Sequence, residues 1–265
     1  MNNTSIVFRA GRWVFAAGWL WAVSARALPA TGEAIVAAMT GEASARVFTG
    51  PVHEGRTAVK DLFEGAALGE NSTLMTGKDG RLCTVFSPGA IVCVAPNTEF
   101  TIRQLRHTAD GLPKSEEDLV RRIHLELHRG RIRVQAGAPM PTMDIRIATP
   151  AGTVEAQGGS FVVAQDGQGR WNVMTEAYEV AVVPREGERT GLQAGAAVRL
   201  VADGDGPGRV RLEDTDADPE LWQFELCNAF FADLESFIQR EQAFDRDGLG
   251  DYLGLDSAFV DLDSG

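Results

Sequence analysis

Three residues at alternating positions carry the side chains best suited to chemistry. His124, Glu126 and His128 lie in the run IHLELH, residues 123–128. In a strand they share one face, and Ile123, Leu125 and Leu127 take the other. Two imidazoles and a carboxylate are zinc-ligand types. The spacing is not the helical H-E-x-x-H arrangement, and the nearby sequence suggests no further ligand. The expectation is therefore the solvated polar face of a half-buried strand, with no metal bound.

Two acidic turns have a partial calcium-loop pattern. DGDGPG at 203–208 and DRDGLGD at 245–251 place Asp at loop positions 1 and 3 and Gly at position 6. Position 5 is Pro207 or Leu249, and position 12 is Asp214 or Asp256 where a bidentate Glu is wanted. Ordinary turns in an acidic stretch are the simpler reading. Cys83 and Cys93 flank the turn SPGA, and loop length decides whether they meet. A two-residue loop sends the thiols to opposite faces, whereas a three-residue loop sets them directly opposite each other. Trp171 and Tyr178 could offer a sugar platform, but core packing explains them as well. No G-x-S-x-G, P-loop or dinucleotide fingerprint is present. The expectation is a protein that is not an enzyme and needs no cofactor.

The elements that must position these residues are short strands. Runs such as RLCTVF (81–86), AIVCV (90–94), RIHLELH (122–128), RIRVQ (131–135), MDIRIA (143–148) and SFVVA (160–164) are bounded by Gly, Pro, Asn and Asp. Ten or more such runs between about 42 and 212, with no long helical pattern among them, predict an all-β fold. Stacked or rolled antiparallel sheets are expected, as a sandwich or a β-roll with solenoid-like character. The polar stretch 106–120 reads as an exposed excursion.

Two flanking segments differ. Residues 1–12 carry Arg9 and Arg12, residues 13–23 are apolar throughout, and Ala25 and Ala27 supply a small-residue cleavage pattern. Residues 1–27 thus read as a secretory signal peptide, and a periplasmic or secreted location is expected. The β domain then spans 28–212. Residues 213–265 form an acidic tail in which Leu221, Phe224, Leu226, Phe230, Phe231, Leu234 and Phe237 recur at helical spacing, predicting an amphipathic helix over 218–240. Phe224, Phe231, Leu234 and Phe237 could form a partner-binding face, but an apolar stripe more often packs on its own domain.

Net charge is −12, which disfavours a general nucleic-acid binder. Without the three arginines of residues 1–27 it falls to −15, and the tail supplies −13 of that. The β domain is close to neutral, so export rather than charge argues against nucleic acid.

The order of motifs resembles the FecR-domain family. TGKDGRLCTVFSPGAIVCVAPNTEFTI (76–102), LELHRGRI (125–132) and IRIATPAGTVEAQGGSFVV (145–163) follow its sequence of strands and turns. Asn97, Thr149, Pro150, Gly152, Gly158 and Phe161 match its pattern. Gln157 and Gly159 depart from its Arg-Gly-Thr-x-Phe element. The matching residues are turn and core types, and hence scaffold. The resemblance implies an extracytoplasmic β-rich domain, which in the best-known members relays iron-siderophore status to a cytoplasmic anti-sigma domain. Only a dozen residues precede the apolar segment here, so the expectation is a freestanding exported domain that binds an envelope protein or polymer or serves envelope assembly. A sensor in a sigma/anti-sigma surface-signalling pathway is the alternative.

Overall fold

The computed structural model describes residues 32–48, 57–107, 121–202, 210–215, 223–226 and 228–230. Among the described residues, eighteen strands form two nine-stranded sheets. The chain moves back and forth between them. β1 (Ala34–Thr40) lies in sheet B, β2 (Ala43–Phe48) and β3 (Thr57–Asp61) in sheet A, β4 (Ala67–Leu68) in B and β5 (Thr73–Thr76) in A. The hairpin β6 (Arg81–Phe86) and β7 (Ala90–Val94) belongs to B, followed by β8 (Glu99–His107) and β9 (Arg121–Arg129) in A. Next come β10 (Arg131–Ala136) in B, β11 (Met143–Thr149) and β12 (Gly152–Ala156) in A, and β13 (Ser160–Gln165) and β14 (Trp171–Ala177) in B. β15 (Val180–Pro184) and β16 (Thr190–Leu192) in A, then β17 (Ala197–Ala202) and β18 (Val210–Asp214) in B, complete the order.

Within sheet A the strands run β16-β15-β12-β11-β9-β8-β5-β2-β3, and within sheet B β18-β17-β14-β13-β10-β7-β6-β1-β4. All neighbours pair antiparallel except β9 and β11, which are parallel. The all-β expectation with stacked antiparallel sheets therefore holds, with one parallel pairing added. The chain enters sheet B at Ala34, ahead of the expected start near 42. β18 also crosses the expected boundary at 212/213.

Alternation along the strands builds the core between the sheets. Leu82 and Phe86, Val92 and Val94, Ile132 and Val134, and Phe161 and Val163 point inward from sheet B. Phe100 and Ile102, with Ile123, Leu125 and Leu127, answer from sheet A. Each such side chain contributes about 1.5–3 kcal/mol by leaving water. Polar side chains tie the corners where the chain changes sheet. Thr76 Oγ1 donates to Ala95 O at 2.7 Å and accepts from Thr98 N at 2.9 Å. Thr98 Oγ1 in turn accepts from Arg131 N at 2.9 Å.

The amphipathic helix expected over 218–240 is not supported. Helical backbone is confined to residues 225–226 and 228–230 among those described, and Asn228 N donates to Phe224 O at 3.0 Å. The signal segment 1–27, most of the excursion 106–120, both acidic turns (203–208 and 245–251), and Cys227, Phe231, Leu234 and Phe237 lie outside the described residues.

Candidate interaction surface

The residues with chemical potential lie on the outer face of sheet A, and each is already occupied. His124, Glu126 and His128 project from β9 to one side, as alternation requires. His124 Nε2 lies 3.0 Å from Asp144 Oδ2 on the parallel neighbour β11. Glu126 accepts Arg103 Nε at 2.6 Å, and His128 Nε2 stands 2.9 Å from Thr101 Oγ1. Arg146 Nε donates to Asp144 Oδ1 at 2.9 Å. For Asp144, burial raises the pKa, but hydrogen bonds from His124 and Arg146 outweigh it and hold the carboxyl below its ordinary value. Among the described residues, no three His, Cys, Asp or Glu side chains are grouped to hold a metal. The trio is a ladder of cross-strand polar pairs.

The motif residues shape corners. Thr149 Oγ1 accepts from Ala151 N and Gly152 N at 3.3 and 3.2 Å and donates to Gly152 O at 2.9 Å. With Pro150 between them, this closes the two-residue turn that pairs Thr149 with Gly152. A Cβ on Gly152 would lie 2.6 Å from Val183 O, so β15 can approach only a glycine. Asn97 contributes its backbone, with φ at 55°, where the chain crosses from β7 to β8. Gly158 and Gly159 have φ of 152° and 86° and lead into Phe161, which is fully buried in the core.

Sheet B has a different outer face. Cys83, Ile91, Cys93, Ala95, Val162 and Ala164 point away from the main core yet are buried, in a second apolar cluster with Phe224. Phe224 is only 4% exposed; Leu226 and Phe230 pack beside it. The first residue of the anticipated partner face is thus covered by the chain's own sheet. Arg133 Nη1 donates to Asn228 Oδ1 at 2.9 Å, and its Nε donates to Glu176 Oε2 at 2.8 Å. Ser160 Oγ also donates to Glu176. Arg81 and Arg131 lie either side of a cleft floored by Val94, Ala95 and Pro96 and bounded by Gln223–Leu226, about 100 Å³ in volume.

The SPGA turn has the three-residue form. Phe86 pairs with Ala90, and Cys83 stands opposite Cys93. Both are fully buried. Their sulfurs face each other in contact. Direct opposition and shared burial place them for a cross-strand bridge, and neither is a free thiol.

Sequence reasoning expected the Phe stripe to pack on its own domain but did not identify the face that receives it, although a signal for that face exists. AIVCV and SFVVA are continuously apolar, as strands buried on both faces are, whereas RIHLELH alternates.

No curated protein matches the chain significantly. Two crystal structures of a protein from Parabacteroides distasonis ATCC 8503, provisionally described as an anti-sigma factor, align with it at 14% identity and a TM-score of 0.39. Each alignment covers 55% of this chain and 60% of the other, so the chain spans about three fifths of that protein's length. Residues 72–179 match the FecR protein family. This segment runs from the β5 corner to the β14–β15 turn and contains every motif residue described above, so the similarity to that family covers the centre of the chain.

Proposed function

We propose that this chain is an extracytoplasmic regulator in a surface-signalling pathway, with its FecR domain serving as a binding module rather than as an enzyme. The match of residues 72–179 to the FecR family carries this reading, and favours it over a role in envelope assembly. The surface chemistry is consistent with it. The polar residues of sheet A are engaged with one another, and the motif residues shape turns and core. Residues 1–27 would direct export, and the partner would be an envelope protein of the same pathway, such as a transporter or an anti-sigma protein, not nucleic acid.

Deleting the coding sequence and sequencing the cell's RNA tests the proposal. A several-fold shift in the transcripts of one alternative sigma factor is expected. Unchanged sigma-dependent transcripts together with detergent sensitivity would instead favour envelope assembly. Export is tested separately by the N-terminus of the secreted protein, expected near Leu28.

A further inference from the structure

Cys83 and Cys93 sit in the middle of sheet B. Their strands, β6 and β7, are interior, in the order β1-β6-β7-β10. Across that row Cys83 pairs with Ala38 on β1 and Cys93 with Arg133 on β10. Paired backbone therefore flanks the two cysteines on both sides. On the outer face they belong to an apolar cluster with Ile91, Ala95, Val162, Ala164 and Phe224, and neither shows any surface to solvent. The pair itself is local, ten residues apart in one hairpin. Most of what encloses it is not: β10, β13 and Phe224 all come later in the chain.

Thiol–disulfide exchange needs a sulfur within reach of a thiol or disulfide from solution. The closed sheet denies that reach, whereas the hairpin without its neighbours allows it. Relative speed then decides the outcome. A β-rich domain folds in about milliseconds to seconds, while disulfide formation takes about seconds to hours. We propose that Cys83 and Cys93 are an oxidation site open only before sheet B closes, so that the finished fold retains whichever redox state the hairpin had when it was enclosed. The co-reactant is a disulfide. One cysteine attacks it, giving a mixed disulfide and one released thiol; the second cysteine then displaces the other thiol. Two cysteine thiols become one S–S bond, and the incoming disulfide is reduced to two thiols. Where an oxidant meets the emerging chain, the oxidised form is favoured, because the hairpin precedes β10. That encounter rests on the export proposed above; the enclosure does not, and it is tested apart from export.

The test uses the full chain carrying Cys227→Ser, which leaves one pair of thiols. Refolded from urea with oxidised and reduced glutathione, it should show a Cys83–Cys93 link on peptide mapping. Refolded with a reductant that is then removed, it should keep both thiols. Oxidised glutathione should link them at least about a hundredfold more slowly than in urea, because the sheet must first open. Dithiothreitol should likewise open the bridge of the folded, oxidised chain at least about a hundredfold more slowly than in urea. Equal rates in the folded and unfolded chain, or no link after refolding with oxidised glutathione, would overturn the proposal. Should the reduced chain not fold, the opening rate of the oxidised chain decides alone. Sealed sulfurs in vitro, together with two thiols in the protein isolated from its own cells, would support the enclosure and count against export.

Discussion

Sheets A and B each contain nine strands and share one core, but their outer faces meet the surroundings in opposite ways. On sheet A, Arg103–Glu126, His124–Asp144 and Thr101–His128 form a half-exposed polar ladder. Such pairs each contribute about 0–1 kcal/mol, because water competes for both partners. On sheet B the central outward positions are apolar and closed off by Phe224, where each side chain withdrawn from water contributes more. The residues with the most suggestive chemistry thus lie on the face where substitution should matter least. The residues easily passed over as core lie where the molecule has most to lose.

Several substitutions would break or sharpen this contrast. Val162→Asp buries an unpaired carboxylate beneath Phe224 and should cost about 3–5 kcal/mol in urea denaturation. Thr153→Asp on the outer face of sheet A should change stability by less than about 1 kcal/mol; equal losses would erase the distinction between the faces. Next comes the cysteine pair. The oxidised protein should weigh two hydrogens less than the reduced one by mass spectrometry, and reduction should lower stability by about 3 kcal/mol through the short closed loop. Phe224→Ala should cost about 2 kcal/mol, below the ~3–5 of a Phe deleted from the centre of a core, because its cluster lies on the outer face of sheet B.

Asp144→Asn should lower stability at neutral pH by less than about 1 kcal/mol. Its pH signature is more specific. A carboxyl held below its ordinary 3.8 contributes stability that is fully present above the unfolded pKa. That stability is lost as the pH falls through the lower folded value. The variant should therefore flatten the acid limb of the stability curve below about pH 4. Smallest of all, zinc should leave the melting temperature of the wild type and of His124→Ala equally unmoved. A zinc-dependent rise specific to the wild type would mean that the polar ladder is a metal site after all.

Much of the fold was legible. The strands over 81–86 and 90–94 coincide with β6 and β7, because β-branched runs end sharply at Gly80 and at the SPGA turn. β1 was missed because AIVAAMT is rich in alanine, a weak strand former, and only pairing with β6 makes it a strand. β18 was hidden in the acidity of VRLED, which reads as the start of the tail. Helical spacing after Asp218 suggested a long helix, but periodicity reports which residues could share a face, not whether the backbone closes its turns. For the candidate surface, alternation predicted that His124, Glu126 and His128 share a face. Their partners could not be read off, because Asp144 reaches His124 only through the parallel β9–β11 pairing between strands about twenty residues apart.

The regular exchange of strands between the sheets has a mechanical consequence. Neighbours in each sheet come from nearby stretches of sequence, so the molecule is almost a one-dimensional stack. In such a stack cohesion is a sum of local terms. The short strands β3 and β4 close one end and β16 and β18 the other. A tug applied at either end would peel the outermost strands first and leave the middle shut, so the chain would yield like a zipper rather than snap open like a latch.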